Sequence, residues 1–313
     1  MMRIAIAGGT GLGHLLAAGL AQADQAYNVV VLSRFQRTDL DSLDVQSLVV
    51  DYYDHDSLCF ALQGIDLVIS TISGGEQLNL IHAAGQSSVR LFVPSEFEGP
   101  LANRPTDYDP LDRGTSEVVA LLRQYSATMK YTIFSCGVLM ERFSPGGLGY
   151  YGIGYNTGIP NAGDYLINLE HATADIVEKD HHNRHVYVCL TSLNDVVRFI
   201  VAAVALGPNT WPREYTMRGD RMSLRDLASA CGRAWSISMT YRRHQAADLS
   251  SFVSQYLQVG DLSNAAYFQR LQATVCGRYD FHRPTLNRVI ERTDFVRFRP
   301  VTFSEWLASL QIA

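Results

Sequence analysis

Short apolar runs and helical stretches alternate through the first half of the chain. Residues 3–7 (RIAIA) form a continuous apolar run, the kind buried on both faces of a parallel sheet. Residues 11–21 then read as a helix, 29–33 (VVVLS) as a second strand and 47–50 as a third. A short helix over 56–62 precedes a fourth strand at 66–70 (DLVIS), and a helix over 77–84 precedes a fifth at 90–94 (RLFVP). The helix predicted over 115–125 carries Val118, Val119, Leu121 and Leu122 on its inner side, and 130–135 predicts a sixth strand. Strands and helices alternating at this spacing predict an α/β fold, a Rossmann-like doubly wound parallel sheet.

After Phe143 the pattern changes. Residues 144–165 (SPGGLGYYGIGYNTGIPNAGDY) are rich in Gly, Tyr and Asn and show little periodicity, which predicts a surface loop of functional kind. Regular texture resumes with a strand at 185–190 and a helix at 193–205, with Asn194 or Asp195 near its start. Residues 223–235 and 304–310 read as helices, each with Ser as N-cap.

Composition narrows the class. Of 313 residues, 47% are apolar and 18% charged, enough for a sizeable core and too little charge for disorder. Twenty-six basic against 31 acidic side chains give −5, which argues against a broad nucleic-acid-binding face. Lys130 and Lys179 are the only lysines, so a catalytic lysine has few places to be. Five scattered cysteines without a C-x-x-C pair suit a reducing compartment. The longest apolar runs, 29–32 and 199–206, fall short of the roughly 20 residues that span a bilayer. The N-terminus opens on a strand rather than a signal sequence, so the expectation is a soluble, cytoplasmic protein without membrane partners. Nothing in the pattern specifies an oligomeric state.

Residues 8–13 (GGTGLG) join the first strand to the first helix. Glycines there allow a tight turn and let backbone N–H groups approach a pyrophosphate at the helix N-terminus. The second strand ends at Ser33 and Arg34, with Arg37 close behind. An acidic residue at this position would hold a ribose 2′-hydroxyl. An arginine accommodates a 2′-phosphate, so the pattern predicts NADP(H) over NAD(H).

Together with residues 66–70, 92–97 (FVPSEF), 131–139 (YTIFSCGVL), 193–197 (LNDVV) and 299–306 (RPVTFSEW), these motifs resemble the NmrA-like family. That group of atypical short-chain dehydrogenases includes isoflavone reductase and phenylcoumaran benzylic ether reductase, and the likeness is greatest to fungal members acting in secondary metabolism. The resemblance implies NADP(H) at the strand C-termini, with Gly8, Thr10, Gly11, Leu12 and Gly13 at the pyrophosphate and Arg34 at the 2′-phosphate. Thr71, Ile72 and Ser73 would run beside the ribose, Pro94, Ser95, Glu96 and Phe97 near the nicotinamide, and Gly137 in the continuation of the sixth strand. The implied organisation is an NADP-binding unit over 1–142 and a smaller, partly interleaved substrate-binding region over 143–313, with segments around 185–206 packing back on the first. Two departures stand out. His14 occupies the place of the family's last loop glycine, and no lysine occurs among residues 113–117, where the reductases carry one. The Tyr-x-x-x-Lys pair of ordinary short-chain dehydrogenases is also absent.

An acid or base for substrate oxygen must then come from elsewhere. Tyr108 and Asp112 are candidates, although turn capping is the ordinary work of Asp107, Asp109 and Asp112 around Pro110. His171 is a third candidate. Tyr150, Tyr151, Tyr155 and Tyr165 are candidates for an aromatic substrate pocket. His181, His182 and His185 read as a polar turn and no metal is predicted; Cys136, in an apolar strand, reads as inert. Three functions are compatible with this pattern. The first is an NADPH-dependent reductase of a small aromatic, polyketide-like or alkaloid metabolite. The second is a cyclase or isomerase using NADP(H) as scaffold or transient redox partner, and the third a non-catalytic redox-sensing regulator.

Overall fold

The structure, a computed structural model, describes residues 1–154, 161–293 and 297–310. Strands β1 (Arg3–Ala7), β2 (Asn28–Ser33), β3 (Gln46–Val49), β4 (Leu67–Ser70), β5 (Leu91–Val93) and β6 (Lys130–Tyr131) form one parallel sheet in the order β3-β2-β1-β4-β5-β6. This is the doubly wound dinucleotide-fold order. The continuous apolar runs divide by the period of two. Ile4, Ile6, Val29 and Val31 enter one core with Leu16 and Leu20 of α1 (Leu12–Ala21). Ala5, Ala7, Val30 and Leu32 enter a second with Leu58 of α2 (His55–Ala61), Leu80 of α3 (Gly75–Gln86) and Leu122 of α4 (Thr115–Gln124).

The sixth predicted strand divides in two. The Thr132 amide still donates to the Phe92 carbonyl (3.1 Å), but its hydroxyl donates to Pro212 O (2.7 Å) and the Ile133 amide to Arg213 O (3.0 Å). The chain thus leaves the main sheet at Thr132. Residues beyond it form β7 (Ile133–Ser135) and β8 (Val138–Leu139), followed by α5 (Gly147–Tyr150), a short helix inside the expected loop. Then come β9 (Ile167–Asn168), β10 (Thr173–Ile176), β11 (Tyr187–Thr191), α6 (Leu193–Ala205), β12 (Glu214–Thr216), β13 (Asp220–Ser223), α7 (Leu224–Ala234) and β14 (Thr240–Arg243). Helices α8 (Leu249–Gln258), α9 (Leu262–Val275), α10 (Thr285–Glu291) and α11 (Phe303–Leu310) complete the described fold. Strand β7 pairs with β12 and β8 with β11, so the chain after the sheet is stitched to the second half.

Helix α6 returns to the first core, so close to α1 that a Cβ at Gly19 would lie 2.5 Å from Val197 Cγ1. Its cap is Ser192, just ahead of the expected Asn194 and Asp195, and accepts from the Asp195 amide at 3.1 Å. Ser223 caps α7 as the sequence suggests. At α11 the cap is Thr302 rather than Ser304. Its amide donates to Glu305 Oε2 (2.8 Å) and its hydroxyl accepts from the Glu305 amide (3.3 Å), a reciprocal box that satisfies two helix-end donors. A third core joins Val138, Met140 and Phe143 to Tyr165, Val188, Leu227, Phe268, Leu271, Phe303 and Trp306. Among the described residues no helix is long and apolar enough to cross a membrane.

Candidate active site

The turn from β1 into α1 is closed by backbone bonds, Gly8 N–H to Leu32 O (2.9 Å) and Gly13 N–H to Thr10 O (3.0 Å). Gly8 has φ +98°, and a Cβ there would meet Thr71 Oγ1 at 2.5 Å, where that hydroxyl donates to Ala7 O (2.9 Å). A Cβ at Gly13 would run into the Gly8 carbonyl oxygen. These two glycines therefore keep the loop flat against the strand ends. Helix α1 has no side-chain N-cap and no acidic residue in its first turn, the condition in which a helix N-terminus accepts an anion. His14 turns aside to Asp39 (Nδ1–Oδ2 3.2 Å) and leaves close packing to Gly13.

The loop opens into a cleft of about 780 Å³. Gly8, Thr10, Leu12, Arg34, Thr71, Ile72, Ser73, Ser95, Glu96, Phe97 and Gly137 all line it. Gly11 and Gly13 shape the loop without lining the cleft, and Pro94 is buried at the end of β5. Arg34 is mostly exposed, its Nη1 3.3 Å from Glu76 Oε1. Arg37 is already committed, with Nε and Nη2 gripping Asp39 at 2.8 and 2.6 Å and holding that carboxyl at about 2. The Ser95 amide donates to Gln77 Oε1 (2.7 Å), tying the turn after β5 to α3.

The far end of the cleft is built from charge. Glu98 is buried and lines it, accepting from Arg278 Nη2 (3.2 Å) and the Tyr279 hydroxyl (3.0 Å), with Arg104 at 3.6 Å and Arg113 at 3.8 Å. Burial would raise this carboxyl, but Arg113, Arg278 and Arg104 outweigh that and hold it at about 2. Glu96 differs. Burial pushes it upward despite Arg104 at 3.3 Å. Arg113, Arg142, Tyr165, Arg270 and Tyr279 complete this wall. Burial raises both tyrosines, whose hydroxyls are tied up, Tyr165 with Thr274 Oγ1 (2.7 Å) and Tyr279 with Glu98.

The sequence model of the NmrA-like family matches residues 1–259. The chain belongs to the NmrA-like family. This NmrA-like chain is similar to Oxidoreductase BOA1 of Botryotinia fuckeliana, 26% identical over 253 residues covering 74% of the chain and 76% of that protein. A shorter stretch of 109 residues is 33% identical to phenylcoumaran benzylic ether reductase TP7 of Nicotiana tabacum, covering 33% of the chain and 35% of the relative. Among solved structures, leucoanthocyanidin reductase from Vitis vinifera, determined as a ternary complex, superposes with a TM-score of 0.71 at 16% identity, over 99% of this chain and 100% of that one. At that identity the likeness is one of fold.

In this NmrA-like chain the weaker sequence candidates lie elsewhere. Tyr108 is 78% exposed and faces a separate recess beside Asp109 and Arg278. Asp112 accepts from the Ser116 amide at 3.0 Å at the start of α4, the capping role that its turn context offered. His171 is exposed in a turn, its amide donating to Asn168 Oδ1 (2.9 Å). None of the three lines the cleft. Tyr150 is 78% exposed and meets Tyr151 edge-on, while Tyr151 packs against the first core, so the aromatic-pocket expectation is corrected for both. Gly152, Ile153 and Gly154 line the cleft instead; a Cβ at Gly11 would lie 2.7 Å from Gly152 O. Tyr165 does line the cleft, and Tyr155 lies outside the described residues. Cys136 is buried, and burial pushes its thiol up to about 12. His182 N–H and Arg184 N–H both close on Asp180 Oδ1, a polar turn.

Sequence reading missed Glu98, Arg113, Arg142, Arg270 and Tyr279 as site residues. Glu98 had a signal, two residues beyond Glu96 in the FVPSEF block. Arg142 and Arg270 had none, because only tertiary packing brings them together.

Proposed function

We propose that this chain is an NADP(H)-dependent oxidoreductase that reduces a small aromatic, polyketide-like or alkaloid metabolite. The observation that carries the reading is a single cleft. Its mouth joins the flat glycine loop and Arg34, and its far wall joins tyrosine rings to arginines. The residues fit the cofactor. The backbone at Gly8 and Gly13 leaves no room for a Cβ, the α1 N-terminus is uncapped, and Arg34 reaches the mouth. Gly8, Thr10, Leu12 and Arg34 would hold the phosphates, Thr71 to Ser73 the ribose and Ser95 to Phe97 the nicotinamide. When bound, NADPH supplies a hydride.

The chain's own work is positioning, which alone can account for much of such a rate. Glu98, clamped by Arg278 and Tyr279, would hold a fixed part of the cleft lining against which substrate is positioned. Arg113 stands in the stretch where the related reductases place lysine, and it lines the cleft. A guanidinium does not give up its proton, so Arg113 stabilises a negative oxygen electrostatically without protonating it. Lys130 and Lys179 are exposed and do not line the cleft. This favours acceptors that are conjugated or already polarised, such as an iminium, over a simple ketone that needs a strong acid.

Anaerobic incubation with NADPH and a substrate panel, following nicotinamide absorbance and product mass together, tests the reading. Loss of NADPH with a product gaining two hydrogens is expected. A rearranged product of unchanged mass with NADPH intact would replace reduction by isomerisation. Tight NADPH binding without turnover of any panel member would point to a regulator.

A further inference from the structure

Two arginines at the far end of the cleft have no carboxylate of their own. Arg142 follows β8, and its Nη1 is closed off from solvent with no hydrogen-bond partner among the described residues. Its guanidinium carbon lies 5.8 Å from the Tyr165 ring centroid. Arg270, on α9, lines the same cleft, and its Nε is likewise sealed and unpartnered among the described residues. The neighbouring cations are matched: Arg104 to Glu96 (3.3 Å), Arg113 to Glu98 (3.8 Å), and Arg278 to Glu98 (3.2 Å) and Asp109 (2.7 Å). Glu98 already serves three guanidinium groups. Asp164 attracts Arg270 and Glu98 attracts Arg142, yet neither forms an ion pair with them among the described residues. Burial lowers the proton affinity of both arginines, and the nearby Arg142 charge lowers that of Arg270 further. Two half-buried like charges, each with a sealed and unsatisfied donor, are costly unless an anion joins them.

The anion is not the cofactor's phosphate in this reading, because the phosphate loop and Arg34 come from the turns after β1 and β2, whereas Arg142 and Arg270 come from the stretch after β8 and from α9. Tyr165 and Tyr279 have committed their hydroxyls and pack edge-to-face on each other, centroids 6.1 Å apart, so the pair presents a rigid aromatic edge to the cleft that both line. We infer that Arg142 and Arg270 form a subsite for a carboxylate carried by a flat, aromatic substrate, with the edge of the paired Tyr165 and Tyr279 rings beside its body. A guanidinium pairs a carboxylate through two parallel N–H bonds, so the pair would orient the substrate as well as hold it. This inference rests on the proposal that the cleft holds NADP(H) and substrate together.

The test is calorimetric and needs no turnover. The full chain, loaded with NADP+, is titrated with benzoate and cinnamate, with their methyl esters, and with inorganic phosphate. The acids are expected to bind at least about tenfold more tightly than the esters, the scale of one charge-assisted hydrogen bond. Arg142→Met and Arg270→Met should each weaken acid binding about tenfold, leaving ester binding and NADP+ affinity unchanged. Added salt should weaken the native protein's grip on the acids and not on the esters, a readout that needs no variant to fold. Equal binding of acid and ester, no acid binding, or phosphate binding as tightly as the aryl acids would overturn the inference. So would variants that weaken NADP+ and spare the acids. Failure of NADP+ to bind at all would remove the proposed activity instead. Arginine-dependent acid binding by the unloaded chain would then leave the subsite standing.

Discussion

At the level of one side chain, the proposed preference for NADP(H) rests on Arg34. Its guanidinium is held at the cleft mouth by Glu76, at 3.3 Å and mostly exposed, so a 2′-phosphate would exchange one anion for a stronger one. Replacing Arg34 by Ala should weaken NADPH binding by about 1.5–3 kcal/mol, nearer the lower figure because water screens the pair, and leave NADH almost unchanged. Fluorescence titration with both cofactors checks this, and equal native affinities would defeat it. The lysines give the complementary expectation. Lys130 donates to Asn209 O at 3.3 Å on the surface, and Lys179 is exposed beside His185. Lys130→Met and Lys179→Met should leave turnover within a few-fold of native, whereas loss of a general acid costs about 100–10,000-fold. The placement of Gly8, Gly13 and Arg34 was legible in the sequence, since it follows from a local turn and its immediate neighbours. Tyr108 and His171 were not correctly placed, because reach across a cleft is set by packing. Their loops turn them toward solvent.

At the scale of elements, the main sheet and its helices were legible because each strand is an apolar run and each helix a period. The bend at Thr132 was not, since the run continues through it and only the bonds to residues 212 and 213 divert the chain. Helices α8 and α9 went unread although Leu249, Phe252, Val253 and Tyr256 keep helical spacing. Ser250, Ser251 and Ser254 dilute the signal, and the stacking of Tyr256 on Phe268 stabilises the pair only once both are formed. The start of α6 carries a testable liability. Glu141 is buried, its Oε1 accepting from the Leu193 amide at 2.9 Å, and burial pushes its carboxyl up to about 7. The folded state therefore holds this proton at pH values where the unfolded chain, near 4.3, has released it. Stability is lost as pH rises from about 4 to about 7 and levels off beyond. Glu141→Gln keeps an oxygen for Leu193 and removes the titration. It should stabilise the protein at pH 8 by up to about 3 kcal/mol and by almost nothing at pH 4, measured by urea unfolding. A variant destabilised more at pH 8 than at pH 4 would show instead that the ionised carboxylate is favoured in the fold.

The whole molecule places the cleft between the dinucleotide sheet and the chain that follows it, and both supply its walls. Gly8, Thr10 and Leu12 come from the turn after β1, while Val138, Leu139 and Leu148 come from β8 and the chain after it, where β8 pairs with β11. The two sides touch where Gly11 meets Gly152, too close for a Cβ on Gly11. A ligand seated on the glycine loop would therefore order the Gly152–Gly154 backbone across from it as well as the loop itself. Binding to the folded state alone stabilises by about 2.7 kcal/mol at a concentration 100 times the dissociation constant. NADPH at that level should slow amide hydrogen exchange in two separated segments, residues 8–14 and 147–154, because both walls lose their freedom to open. Cofactor that only docked on the sheet would protect the first segment and leave the second at its free rate. Protection confined to residues 8–14 would thus show that the 147–154 side forms a wall without responding to the cofactor, and that closing the cleft falls to the substrate.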